Sequence, residues 1–326
     1  MPTTTDTRNM TLVDLPLLRR LTGSGTILDS EMGLTRDARG QHSLLLSSLL
    51  FRRGIYTLVA RSEEKPVVGQ FRYRSDDLIA HIVYIAPTLD DTSTDTVWLH
   101  ILDAMAREAG KHGAHSLVAE VETNTMLFAT LRTAGFATYA RQMIWRHDPV
   151  QIKWGELSLQ LTEETDNDHA GIMSLVTNIV PTILHQVATP HCDMSGLVYR
   201  KNGRVEAYIG ISEGPQGIYL LPYLHPDVSA EATEILTAAV AQTNRAAKVP
   251  VYVCVRSYQS WLDDVLLDLN FEEWAEQAVM VKQIAVGIRH PGFERLKLKG
   301  KLEAATFTPP YNSVMMSECS NHEEIE

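Results

Sequence analysis

Several groups of residues in this chain have the types and spacing that chemistry uses. Gly210-Ile211-Ser212-Glu213-Gly214 matches the G-x-S-x-G nucleophile elbow letter for letter, a motif that works where a strand runs directly into a helix. Pro215 and Gly217 follow at once, then a second apolar run, so the segment reads as the turn of a β-hairpin. His112 and His115 stand three apart, and His185, His191, Cys192 and Asp193 cluster loosely. Neither group offers three or four donors at a known zinc spacing, so no metal is expected. Cys192 beside His191 is not by itself a thiolate pair, because nucleophile and base are brought together in space rather than by adjacency. The basic run Arg295, Lys297, Lys299 and Lys301 would suit phosphates, but the chain carries 29 Lys+Arg against 40 Asp+Glu, a net charge of −11. It reads as a solvated face or a strand packed across domains, and neither nucleic acid nor an anionic membrane surface is expected as a partner.

The elements that position such groups come from a chain of 326 residues, 44% apolar and 21% charged, with 19 Gly and 14 Pro. That is the composition of a packed protein with about two domains' worth of chain. Three cysteines without a CxxC pattern suit a reducing compartment. The N-terminus MPTTTDTRNM lacks the basic-then-apolar order of a signal peptide, and Leu44 to Phe51, the densest apolar stretch, is too short to span a bilayer. A cytoplasmic protein is expected.

The chain reads as two copies of one unit. Asn124 to Trp145 aligns with Gln259 to Met280 at an offset of 135, placing Leu127 over Leu262, Leu131 over Leu266, Phe136 over Phe271, Tyr139 over Trp274 and Gln142 over Gln277. Upstream, Ile101-Leu102 lies over Ile235-Leu236 at an offset of 134, and IVYIAP (Ile82 to Pro87) faces LPYLHP (Leu221 to Pro226). In the first copy, alternation and β-branched content predict strands over 55–60 and 67–74 and a third from Leu78 to Ile85. A helix is expected over Thr96 to Lys111, where Val97, Ile101, Met105 and Ala109 keep a helical period up to Gly113. A buried strand from Leu117 to Val121, a short helix from Thr125 to Thr133 ended by Gly135, and a strand from Phe136 to Trp145 complete the unit. The second copy repeats this from Gly196 to Val286. The expected division is 1–150, 151–290, and an appended arm with an acidic tail over 291–326.

This order of elements, and above all REAGKHGAHSLVAEVETNTMLFATLRTAGF from Arg107 to Phe136, resembles the GNAT superfamily of acyl-CoA-dependent N-acyltransferases. The resemblance spans most of both halves. It implies an α+β fold, a tandem duplication of a GNAT-like unit, each a central mixed sheet flanked by helices. It also implies acyl, in the first instance acetyl, transfer from acyl-CoA to an amine, on a small molecule or a protein, with at most one active half. A homodimer is left open. The alternative is a GNAT-fold protein that binds a small molecule or a partner without transfer.

The family's phosphate loop is rich in Gly and Arg, since backbone must approach the CoA pyrophosphate closely at a helix N-terminus. Here the loop after Pro87 is TLDDTSTDTVW, with no Gly, Lys or Arg from Thr88 through Ala106 and three carboxylates, Asp90, Asp91 and Asp95. The second copy's DVSAEATE is five residues shorter and equally bare of Gly, Lys and Arg. The hydroxyls of Thr92, Ser93, Thr94 and Thr96 either cap the helix or donate to phosphate. With Val83, Ile85 and Asn124, which falls at the family's Asn position, they are the cofactor-binding residues the resemblance implies. The family's acid, a tyrosine on the last helix, is replaced by Leu131 and Leu266. His81 and Tyr84 on the third strand are then the catalytic candidates, with Tyr223 and His225 their counterparts. Each has a plain alternative: His81 as a hydrogen-bonded sheet residue, the two tyrosines as packing.

Overall fold

The computed structural model describes residues 6–21, 24–36, 54–61, 66–75, 77–89, 95–149, 159–188, 194–243 and 246–284. The first repeat opens with β1 (Asp6–Asn9), α1 (Leu15–Leu21), the two-residue β2 (Thr26–Ile27) and α2 (Ser30–Thr35). The expected meander follows as β3 (Ile55–Arg61), β4 (Val67–Tyr73) and β5 (Ile79–Ala86). Next come α3 (Asp95–His112), β6 (Ser116–Glu122), α4 (Met126–Thr133) and β7 (Ala137–His147). The second repeat runs β8 (Thr162–Glu163), α5 (His169–Ile179), α6 (His185–Ala188), β9 (Ser195–Lys201), β10 (Arg204–Glu213), β11 (Ile218–Leu224), α7 (Ala232–Gln242), β12 (Val251–Arg256), α8 (Leu262–Asp268) and β13 (Glu272–Gln283). Gly210 to Ser212 lie inside β10 and the turn follows, so this serine sits on no nucleophile elbow.

Local chemistry explains the boundaries. The α3 stripe Val97, Ile101, Met105, Ala109 is buried, and Gly113 stops the helix at φ 108°, a conformation open to glycine. Thr125 caps α4 by accepting from the Phe128 amide at 3.2 Å. Gly135 ends that helix at φ 88°, and its repeat-mate Asn270 takes φ 61° at the same place after α8.

The strands form one sheet in the order β1-β3-β4-β5-β6-β13-β7-β12-β11-β10-β9-β8, with β2 added on β5. The repeats exchange their last strands. β13, from the second, pairs with β6 of the first, and β7, from the first, pairs with β12 of the second. At the middle β7 and β13 run antiparallel with Gln142 opposite Gln277, Arg141 opposite Ala278 and Met143 opposite Glu276. The repeat offset carries 141, 142 and 143 onto 276, 277 and 278, so a pseudo-twofold axis passes through the Gln142–Gln277 pair. Two cores lie on the helix-covered faces. One packs Phe71, Ile82 and Leu117 under Ile101 and Met105; the other packs Ile209, Leu220 and Val253 under Ile235 and Leu236. A third cluster covers the opposite face across both repeats, from Ile79 and Val118 through Ile144 and Val279 to Tyr219, Tyr223 and Cys254, under Ile172 and Leu175 of α5. Among the described residues no helix is long and apolar enough to cross a membrane. The arm and tail expected from 291 onward lie outside the described residues.

Candidate functional site

In each repeat two parallel strands start side by side and then part. β5 and β6 pair over Ile79, Ala80 and His81 against Ser116, Leu117 and Val118, after which the register ends. On its other side β5 carries a bulge: Tyr84 faces Gln70 and Ile82 faces Phe71, leaving Val83 as the extra residue. The edge of β5 that faces the gap is taken by the chain's own residues 24–28. Thr26 and Ile27 pair antiparallel with Ile85 and Tyr84. The Leu28 amide donates to the Val83 carbonyl at 3.0 Å, and the Leu28 carbonyl accepts from the Glu120 amide of β6 at 2.9 Å. Leu28 thus bridges the parted strands, and the Ser24 carbonyl accepts from the Thr88 hydroxyl at 2.9 Å. The Tyr84 hydroxyl donates to the Leu21 carbonyl at 3.0 Å, and burial pushes this phenol's ionisation up. Its ring packs over Gly25, where a Cβ would overlap it.

The other sequence candidates fall around this gap without converging on it. His81 is half-buried on β5, between Arg72 of β4 and Val118 of β6 in register. Ile85 is fully buried. Thr96 is the exposed second residue of α3. Asn124 is exposed in the turn after β6 at φ 65°. Thr92, Ser93 and Thr94, with Asp90 and Asp91, lie outside the described residues, as do His191, Cys192 and Asp193. His112 packs against the Tyr56 ring, tilted by 34° with ring centroids 4.1 Å apart, and His185 bonds the Val180 carbonyl at 2.8 Å. Among the described residues no cluster of His, Cys, Asp and Glu could hold a metal ion.

The second repeat closes the corresponding edge differently. β11 and β12 pair over Ile218, Tyr219 and Leu220 against Val251, Tyr252 and Val253, and the β10–β11 ladder runs without a bulge from Glu213–Ile218 to Ala207–Leu224. Pro222 offers no N–H. Gln259, the repeat-mate of Asn124 by the offset of 135, fills the gap from the loop after β12. With its amide oriented to suit both neighbours, its nitrogen donates to the Pro222 carbonyl and its oxygen accepts from the Leu224 amide, each at 3.2 Å. The Tyr223 hydroxyl donates to the Ala188 carbonyl at 2.5 Å. His225 accepts from the Asp227 amide at 3.3 Å and caps the turn that leads to α7.

Between the two gaps a polar row crosses the seam. Gln277 stands opposite Glu122 and Gln142, and Gln142 opposite Arg256. The Gln142 amide donates to the Gln277 side-chain oxygen at 2.9 Å, which also accepts from the Ser30 hydroxyl at 2.8 Å. The Ser30 amide donates to Glu120 at 2.8 Å. Arg72 holds this end of α2 through Asp29 at 2.6 Å and Glu31 at 3.3 Å. At the Arg256 end the protonated forms prevail: burial pushes the Cys254 thiol up to about 11 and the phenols of Tyr219, Tyr223 and Tyr258 above their ordinary range. Neither a thiolate nor a phenolate forms there near neutral pH, so this end supplies neutral donors and one guanidinium. Leu131 and Leu266, where the resemblance implies a tyrosine, are fully buried in the two helix-side cores.

Sequence reasoning missed this row. The signal present was an arginine closing the otherwise apolar buried run Val251-Tyr252-Val253-Cys254-Val255.

The architecture is that of the tandem GNAT proteins. Over 86% of this chain and 98% of the other it superposes on a tandem GNAT protein from the clavulanic acid biosynthesis pathway, with TM-score 0.52 and 13% identity. A GCN5-related N-acetyltransferase from Sphaerobacter thermophilus matches over 87% of this chain and 97% of its own, with TM-score 0.51 and 11% identity. No family model matches the sequence, and no curated protein matches it.

Proposed function

We propose that this chain uses the tandem GNAT fold as a small-molecule-binding scaffold in the cytoplasm and does not transfer acyl groups. The observation that carries this reading is the closure of both parted-strand edges by the chain itself, through residues 24–28 in the first repeat and Gln259 in the second. An acyl-CoA presents amides along its pantetheine arm, and such a ligand is held by adding to a free strand edge, where backbone N–H and C=O groups supply the affinity. Here those groups already have partners, and neither phosphate loop offers Gly, Lys or Arg. Titration calorimetry of the full chain with acetyl-CoA and with CoA tests this. The expected result is no saturable heat at millimolar ligand, and micromolar binding of either overturns the reading.

A second reading, an N-acyltransferase whose first repeat acetylates a small-molecule or protein amine, is favoured by the Val83 bulge, which the second repeat lacks. In it, residues 24–28 leave β5 when acetyl-CoA arrives, and His81 and Tyr84 are the groups nearest the freed edge. Saturable acetyl-CoA binding is the outcome that selects it.

A further inference from the structure

We infer that the seam between the repeats holds a small monocarboxylate against Arg256, whichever of the two readings above is right. Arg256 ends β12 at 7% exposure, and its Nε and Nη1 have no hydrogen-bond partner among the described residues. Taking a guanidinium out of water is costly unless its five N–H donors are met by acceptors. The neighbours supply few. Directly across in register is Gln142, 2% exposed, whose side-chain oxygen is itself without a partner; turned onto Arg256 it could meet one or two of the five donors.

The remaining groups around Arg256 are Cys254, Tyr223, Tyr258 and, across the seam, Glu120. Tyr223 already donates to the Ala188 carbonyl and Cys254 is hydrogen-bonded to Tyr219 and Arg256, which leaves the Tyr258 phenol as the donor beside the guanidinium. Glu120 already accepts from the Ser30 amide, and it stands on β6, three strand spacings or roughly 14 Å of sheet from β12. Glu120 acts on the guanidinium only through space, and among the described residues no carboxylate is ion-paired with Arg256, so the site presents one fixed positive charge and the Tyr258 hydroxyl. A planar carboxylate with a single negative charge meets that set: its oxygens accept from the guanidinium and from the Tyr258 phenol, and one guanidinium balances its charge. A dianion would leave a second charge buried without a counterpart. Of Arg256, Cys254, Tyr223, Gln142 and Tyr258, only Tyr258 is partly exposed, which puts the entrance on its side.

The test is calorimetric titration of the full chain with acetate, butyrate and benzoate, with phosphate as the doubly charged comparator and ionic strength held constant. At least one carboxylate should bind saturably. Its dissociation constant should rise tenfold or more in Arg256→Lys, which keeps the charge and loses the planar donors. Binding should vanish in Arg256→Met and stay within twofold in Arg141→Met, an exposed arginine on β7. Absence of saturable binding of all three carboxylates to the unmodified chain overturns the inference without any variant, which covers the case in which Arg256→Met fails to fold. Equal binding by Arg256→Lys overturns it too, and preference for phosphate overturns the ligand class. Acetyl-CoA results bear only on the choice between the two readings above.

Discussion

Leu28 offers the sharpest check on the self-closed edge. Its side chain is 1% exposed in the first repeat's core, while its backbone makes the two hydrogen bonds that bridge β5 and β6. Each of those bonds contributes only about 1 kcal/mol net, so the buried side chain is what pins the segment. Truncating a buried leucine to alanine costs roughly 2–5 kcal/mol. If residues 24–28 detach before the sheet unfolds, that loss falls on the local opening, and even 2 kcal/mol is about a 30-fold change in an equilibrium. In Leu28→Ala, native-state hydrogen exchange should therefore speed up about 30-fold or more at the Leu28 and Glu120 amides, which are the donors in the two bridging bonds. The Val118 amide, on β6 where it still pairs with β5, should change far less. Under the acyltransferase reading the same variant should bind acetyl-CoA more tightly by the same factor, because a ligand's apparent affinity scales with the open fraction. Exchange at Leu28 and Glu120 that rises only in step with Val118 would refute a separable segment, and unchanged exchange would refute Leu28 as its anchor.

Two further outcomes follow from the site and its supports. In each repeat a Thr-x-x-Asp turn buries an aspartate under an arginine, Asp14 with Arg8 and Asp168 with Arg200. Hydrogen bonds from arginine and threonine outweigh the opposing effect of Asp14's burial and hold both carboxyls below the usual range. The stabilisation is therefore complete above the unfolded value near pH 3.9 and is lost as pH falls through the folded values. With Arg8 34% exposed at its side chain, Asp14→Asn should cost about 1–2 kcal/mol near neutral pH once solvent screening is allowed for. It should also flatten the fall of the melting temperature below pH 4, and an unchanged acid limb would count against it. Introducing a tyrosine where the GNAT resemblance implies one, by Leu131→Tyr, places a phenol in a fully buried core position. The expected outcome is a destabilisation of roughly 1–3 kcal/mol, read from thermal melts, with no gain in acetyl-CoA turnover.

Much of the architecture was legible because it is written locally. The β3–β4–β5 meander, the α3 stripe ending at Gly113, and the doubling that places Gln142 over Gln277 follow from periodicity and repeat spacing alone. The segment from Asp6 to Thr35 was not legible. β2 has two residues, Thr26 and Ile27, and is a strand only because β5 offers it an edge, so no local pattern marks it. The crossing of β7 and β13 was hidden for a related reason: a strand's alternation is the same whether it returns to its own repeat or completes the other's. Asn124 was found as a position but not for what its mate does, since only the folded chain shows Gln259 reaching back to β11. Arg256 stood in plain view, and what distinguishes it, a buried Nε and Nη1 with no partner among the described residues, belongs to the packing.

The exchange of last strands also fixes an order of events during synthesis. β6 takes β13 as its neighbour on the far side from β5, and β13 ends at Gln283. The first repeat therefore cannot complete its sheet when its own residues leave the ribosome; it must wait, with the β6 edge unpaired, until nearly all of the second has been made. Pairing across more than 150 residues of sequence is slow to close, and an exposed strand edge in the interval is an invitation to another chain. Residues 24–28 bond the opposite edge of β6 at Glu120 from within the first repeat and come off the ribosome early, so the edge left waiting is the one on the β13 side.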